Sequence, residues 1–205
     1  MRAPAWGGAP VPASDAEARG RLVDAARSCF ERFGFEKTGL SDVAAEAGVT
    51  RRTVYRYFGN TDELMRAAFA LVAGGIVDRM VAHVRGFDDP GDRIIEAMLF
   101  LRREIPADPH LGPLFSPGRD AMQDRSMWSA VATEVSHGAL RAVAEAGPNG
   151  HWAPLSEEEL DDLVELILRL LQSFLTDPGP RPRSDAELRA FLRRWLLPAI
   201  EFRGA

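Results

Sequence analysis

The chain has one cysteine in 205 residues, Cys29, so it can form no internal disulfide. A small cross-linked extracellular scaffold is thereby excluded, and a reducing cytoplasm is the expected compartment. Of the 25 basic residues only Lys37 is lysine, an imbalance that reflects coding bias at least as much as physics and carries no functional reading. No uninterrupted apolar run approaches the ~20 residues of a bilayer span, so no membrane association is expected. The opening stretch, MRAPAWGGAPVPASDA, holds one basic residue and lacks the apolar core of a signal peptide. Strand-like alternation, internal repeats, a Gly-rich phosphate loop and a nucleophile elbow are all missing. His83, His110, His137 and His151 lie far apart with no paired cysteine, so no metal site, cofactor or catalytic centre is expected. The reading is of a protein that is not an enzyme.

Positive charge is scarce overall but not uniformly so. The formal net charge is −5. Residues 1–60 hold nine Arg and Lys against seven Asp and Glu, a balance of +2, whereas residues 61–205 hold sixteen against twenty-three, a balance of −7. A phosphate-binding surface needs local rather than global positive charge, and only the front of the chain offers it.

What is present is helical periodicity. Residues 1–15, rich in Pro, Gly and Ala, read as a disordered arm. From about Ala16, Leu22, Ala26, Cys29 or Phe30, and Phe33 recur at three to four residues, and Gly34 is a stop signal. Cys29 reads as core. Further helices are expected over about Leu40–Ala47 and Arg51–Phe58. The next follows Asn60, with Glu63 three residues on as in a capping box, and runs to about Arg85. GFDDPGD (86–92) breaks the pattern. Ile94, Met98, Leu101 and Ile105 mark a fifth helix. A four-proline stretch (105–118) is loop-like with room for one short helix. A long helix is expected over 119–146 and a loop over 147–155. Two more helices are capped by Ser156 with Glu159, ending near Thr176, and by Ser184 with Glu187, ending near Ile200. The fold class is all-α, with a three-helix head (16–60) and a larger helical body (61–205).

SDVAAEAGVTRRTVYRYFGNTDEL (41–64) has the requirements of a helix-turn-helix. Ala44 is small where the second helix must pack closest, and Gly48 tolerates a positive φ in the tight turn. Val43, Ala47, Val49 and Val54 have the spacing of core anchors, and Thr50 sits at an N-cap. With these positions assigned, Arg51, Arg52 and Arg56 remain for guanine edges or phosphate. Arg51 and Arg56 are favoured for base edges, though the division of the arginines is not fixed. Thr50, Thr53, Tyr55 and Tyr57 offer hydroxyls to phosphates.

Residues about 19–64, including FGFEKTGLSDVAAEAGVTRRTVYRYFGNTDEL, resemble the N-terminal DNA-binding domain of the TetR (tetracycline-repressor-like) family of bacterial transcription regulators. The resemblance implies an Ω-shaped homodimer with a small reading head and a variable body that holds a ligand pocket and dimerises through its last two helices. It places Thr38, Thr50, Thr53, Tyr55 and Tyr57 where the family contacts phosphate. Ser41, Arg51, Arg52 and Arg56 fall where it approaches bases or adjacent backbone. Gly39 departs from the family's usual hydroxyl residue. Thr61 replaces a frequent lysine, keeping a hydrogen bond but losing the charge.

In the body, Leu160, Leu163, Ile167, Leu170, Leu171 and Phe174 form one broad apolar face, widened by Val164, Leu168 and Leu175. A helix apolar around so much of its circumference is buried on two sides. The last helix is similarly loaded. A homodimer interface is therefore expected through Leu163, Ile167, Leu170, Phe174, Phe191 and Trp195. Phe69, Met98, Phe100, Phe115, Met122, Met127 and Trp128 fit plain core individually and, as a set, an adaptable apolar pocket. Arg102, Arg103, His110 and His137 are available as polar anchors. The acidic run EEELDDLVE (157–165) reads as a solvated face in the first turns of a helix. The function expected is a dimeric transcription regulator, a repressor released from a palindromic double-stranded DNA operator by a small apolar effector. The alternatives are an activator or ligand-independent regulator of the same fold, or a helical small-molecule-binding protein with a vestigial head.

Overall fold

The computed structural model describes residues 6, 8, 10–34, 37–115, 125–146, 156–177 and 179–198; for 113–114 and 125–131 only the backbone is described. Among them are eight α-helices, one 3-10 turn at Gly112–Phe115, and no strand. The helices are α1 (Asp15–Phe33), α2 (Leu40–Glu46), α3 (Arg51–Tyr57), α4 (Thr61–Val84), α5 (Pro90–Ala107), α6 (Arg125–Glu145), α7 (Glu157–Thr176) and α8 (Asp185–Trp195). They fall into two compact units, Met1–Ala73 and Gly74–Ala205. The division lies inside α4, later than the residue-60 boundary drawn from the sequence. The first turns of α4 bury Leu64, Met65, Ala68 and Phe69.

The first unit is built on α1, whose start is fixed by Ser14 Oγ accepting from the Glu17 amide at 3.1 Å. Ala18, Leu22, Ala25, Ala26, Cys29 and Phe30 form its buried stripe. Gly34 ends it at φ +79°, its amide donating to Phe30 O at 2.8 Å. Phe33, placed on the stripe by periodicity, is instead exposed, with the Arg32 guanidinium over its ring. It sits in the last turn, where the chain turns away before any partner helix covers it.

Cys29 is fully buried, and burial, with the Glu46 and Asp42 carboxylates nearby, pushes its thiol pKa up. The folded protein at pH 8 should therefore react with a thiol reagent about 100-fold or more slowly than the urea-unfolded chain. Rapid reaction of the folded chain would contradict this packing.

In the second unit α5 is the central helix. Its start is earlier than the apolar pattern suggests, because Asp89 caps it and Pro90 occupies the first turn, where no amide partner is needed. Residues 93–100 are buried without interruption. The helix also runs past residue 105, carrying Pro106 in its final turn at the loss of one backbone bond. It packs against α6, α7 and α8, and α6 packs against α7. Ser156–Glu159 and Ser184–Glu187 form the expected capping boxes of α7 and α8. Residues 119–124 of the expected sixth helix, and 199–200 of the last, lie outside the described residues.

By length and composition α4 could span a membrane. Its every-fourth-residue stripe of Leu64, Ala68, Val72, Ile76, Met80 and Val84 is buried in the protein, which is the pattern of a helix packed along one face.

Candidate nucleic-acid interface

Local chemistry builds the α2–turn–α3 segment. Gly39 precedes α2 and has no capping side chain; Asp42 Oδ2 compensates by accepting the Gly39 amide at 2.8 Å. Ala44 and Val43 are buried. The turn uses Gly48 at φ +63°, in the left-handed region that glycine enters at low cost. Its geometry is closed by the Gly48 amide on Ala45 O at 3.1 Å and the Val49 amide on Ala44 O at 2.8 Å. Thr50 then caps α3, its Oγ1 accepting the Thr53 amide at 3.2 Å.

With Thr53 and Val54 buried, α3 turns Arg51, Arg52, Tyr55 and Arg56 to solvent. Tyr55 is 47% exposed, unusual for a tyrosine on a helix with a packed core beneath it. Among the described residues no carboxylate pairs with Arg51 or Arg52. Ser41 and Thr50 are exposed, and Thr61 and Tyr57 are half-buried. Thr38 and Thr53, expected among the phosphate contacts, face inward. The Thr38 hydroxyl donates to Gly34 O at 2.8 Å, and the Thr53 hydroxyl lies 3.0 Å from that of Thr50. Ser41 of α2 and Arg51, Arg52, Tyr55 and Arg56 of α3 are thus exposed polar side chains with no carboxylate partner among the described residues. That arrangement suits a polyanion.

Two residues that the sequence reading passed over hold α3 in place. Arg19 of α1 donates to Tyr57 O and, at 2.9 Å, to Glu63 Oε1, and its guanidinium lies 4.2 Å from the centre of the Phe58 ring. One side chain therefore clasps the end of α3 to the start of α4. The bond from Arg19, then that from the Gly59 amide, holds the Glu63 carboxyl below the usual carboxylate range. Because the folded-state value is the depressed one, this contribution to stability is complete above the pH where an unfolded carboxylate titrates. It is lost as pH falls through the depressed value. The second residue is Trp6, in the segment read as a disordered arm; it is buried against Tyr57. Neither carried a signal, since the Arg19 partners lie 38 and 44 residues away.

Residues 22–68 match the domain family described as "Bacterial regulatory proteins, tetR family". Residues 22–68 form a TetR-family DNA-binding domain. The HTH-type transcriptional regulator AlkX of Mycobacterium tuberculosis is 27% identical over 194 residues, 94% of this chain and 89% of that protein. The fold matches the TetR family repressor AlkX of Dietzia sp. strain DQ12-45-1b, implicated in biodegradation of n-alkanes, with a TM-score of 0.59 at 20% identity, covering 89% of this chain and 97% of that one. It also matches RolR in complex with resorcinol, with a TM-score of 0.62 at 18% identity and coverage of 88% and 87%. With this TetR-type domain the chain is a helix-turn-helix DNA-binding transcription regulator, and the relatives it matches along its length are transcription regulators.

In the second unit Met98 and Phe100 are buried, and Phe115 is half-buried. Phe69, also expected to line a pocket, is buried in the first unit. Met122 and the side chains of Met127 and Trp128 lie outside the described residues. Three of the four suggested polar anchors lie beside carboxylates: Arg102 and Arg103 at Asp185, and His137 with Nε2 2.9 Å from Asp161 Oδ1. The acidic run of α7 is largely solvated, as expected, with Glu157 paired to Arg141 at 2.8 Å. Of the expected dimer residues, Leu163 is buried, Ile167, Leu170, Phe174 and Phe191 are half-buried, and Trp195 is 61% exposed.

Proposed function

We propose that the chain acts as a homodimeric repressor whose two heads, contributed by residues 16–60, read a palindromic operator, and whose body, residues 61–205, takes up a small apolar effector that releases the DNA. The observation that carries the reading is the exposed pair Arg51 and Arg52 at the capped start of α3, unpaired with any carboxylate among the described residues, beside exposed Tyr55 and Arg56. The first turn of such a helix is what enters the major groove. Ser41 and Thr61 offer further hydroxyls to phosphate, while Thr38 serves by binding Gly34 O at the end of α1 and Thr53 by its contact with Thr50 at the start of α3.

Dimerisation is supported by α7, which buries Leu160, Leu163, Val164 and Leu171 but leaves Leu166 exposed and Ile167, Leu170 and Phe174 half-covered. With Trp195 on α8, these side chains offer an apolar surface suited to a second copy. Two heads on a dimer would address half-sites about 34–36 Å apart. The apolar character proposed for the effector rests on buried Met98 and Phe100 of α5. Release then requires the effector to bind more tightly to a state whose head spacing does not fit the operator.

Selection of bound duplexes from a random-sequence pool at fixed salt tests the proposal. A palindromic consensus with two half-sites is the expected result. Weak, strongly salt-dependent binding without enrichment would refute it.

A further inference from the structure

Four side chains form an alternating file from α1 to the solvent end of α3. The Arg21 guanidinium carbon lies 5.9 Å from the Trp6 ring centre. The Trp6 and Tyr57 rings stand 6.3 Å apart, tilted by 58°. The Arg56 guanidinium carbon is 4.5 Å over the Tyr57 ring, and its Nη2 donates to the Tyr57 hydroxyl. Trp6 comes from a Pro-, Gly- and Ala-rich stretch, yet it is only 4% exposed. The chain leading from it to α1 is tied down as well, because Arg21 Nη1 donates to Pro10 O at 2.7 Å.

Each member has a physical reason to stay. A tryptophan offers the strongest ring face to a cation, and tilted aromatic pairs at this separation are favourable. The file ends on Arg56, an exposed side chain with many rotamers. Stacked on a ring that is itself braced from behind, it has fewer conformations to lose when it meets DNA. Tyr57 alone could not supply this, since it is half-buried at the helix end and its ring needs a neighbour to fix its tilt.

We propose that Trp6 is a positioning residue for operator recognition. It braces Tyr57, and through Tyr57 it orients Arg56 toward the DNA. The inference rests on the reading of α3 as the operator-reading helix.

A double-mutant cycle on the full chain tests it, using a duplex selected with the wild type and affinities at one salt concentration. Trp6→Ala should weaken binding about 5-fold and Trp6→Phe no more than about 2-fold, since a ring remains. Adding Trp6→Ala to Arg56→Ala should cost less than about a further 2-fold, whereas adding it to Arg52→Ala should multiply the separate losses. General damage to the head would act alike on both arginine backgrounds, so the contrast holds even if Trp6→Ala lowers the melting temperature. Wild-type affinity in Trp6→Ala, or losses that multiply with Arg56→Ala, would overturn the inference while leaving the regulator reading standing. A wild-type chain that enriches no duplex would overturn both.

Discussion

Replacing Arg51 and Arg52 together by alanine should weaken operator binding by about 30- to 20,000-fold, since each good arginine contact to a base contributes about 1–3 kcal/mol. The same change should leave the melting temperature within about 2 °C, because both side chains are exposed and support no buried group. Thr50 still caps α3 through its hydroxyl, and Val54 still anchors it. The loss should therefore lie in recognition and not in folding. The singles divide the roles. A residue that reads a base relaxes the selected sequence at one position, and one that binds phosphate weakens all sequences alike and lowers the salt slope by about one. A double variant that binds the operator as tightly as the wild type would remove α3 from the interface.

The second large effect concerns the seam between α5 and α8, where acids of one helix meet arginines of the other in antiparallel order. Asp92 pairs with Arg193 at 2.6 Å, Glu96 with Arg189, and Asp185 with Arg102 and Arg103. The partners in the middle pair are unequally buried, the Glu96 side chain being 9% exposed and that of Arg189 37%. Glu96 also pushes the Arg189 guanidinium further above its ordinary value through their hydrogen bond. Removing Arg189 strands a buried carboxylate whose remaining cationic neighbour among the described residues is His83, at 4.0 Å. Removing the charge of Glu96 leaves an arginine that water can reach. Arg189→Ala should accordingly cost about 2–3 kcal/mol, below the full value for a wholly buried pair because Arg189 is partly solvated. Glu96→Gln should cost about 1 kcal/mol. In urea melts the arginine variant should be the less stable of the two; the opposite order would show that the carboxylate is not desolvated.

Most of the head could be read directly from the sequence. Capping by Thr50, the small Ala44, the turn at Gly48 and the core stripe of Leu22, Ala26 and Cys29 are relations between residues a few positions apart. The same is true of the Ser156–Glu159 and Ser184–Glu187 boxes. Such relations are enforced by backbone geometry alone, so pattern and spacing suffice. The arginines of α3 were legible by elimination once those positions were filled.

What the tertiary structure decided are facts about which distant groups share a surface. Periodicity put Phe33 on the buried stripe, but packing leaves it 48% exposed. Thr38 and Thr53 carry hydroxyls that suit phosphate, yet packing buries both, and each hydroxyl is taken up by a near neighbour, Gly34 O for Thr38 and the Thr50 hydroxyl for Thr53. Arg19 became the clasp of α3, Trp6 its brace and Glu96 a buried anion through contacts spanning tens of residues. The local sequence determined which helices form and where they end, because hydrogen bonds and caps act within a turn or two. Which side chains are free to meet DNA was settled only when those helices packed, because burial is a property of the assembled surface.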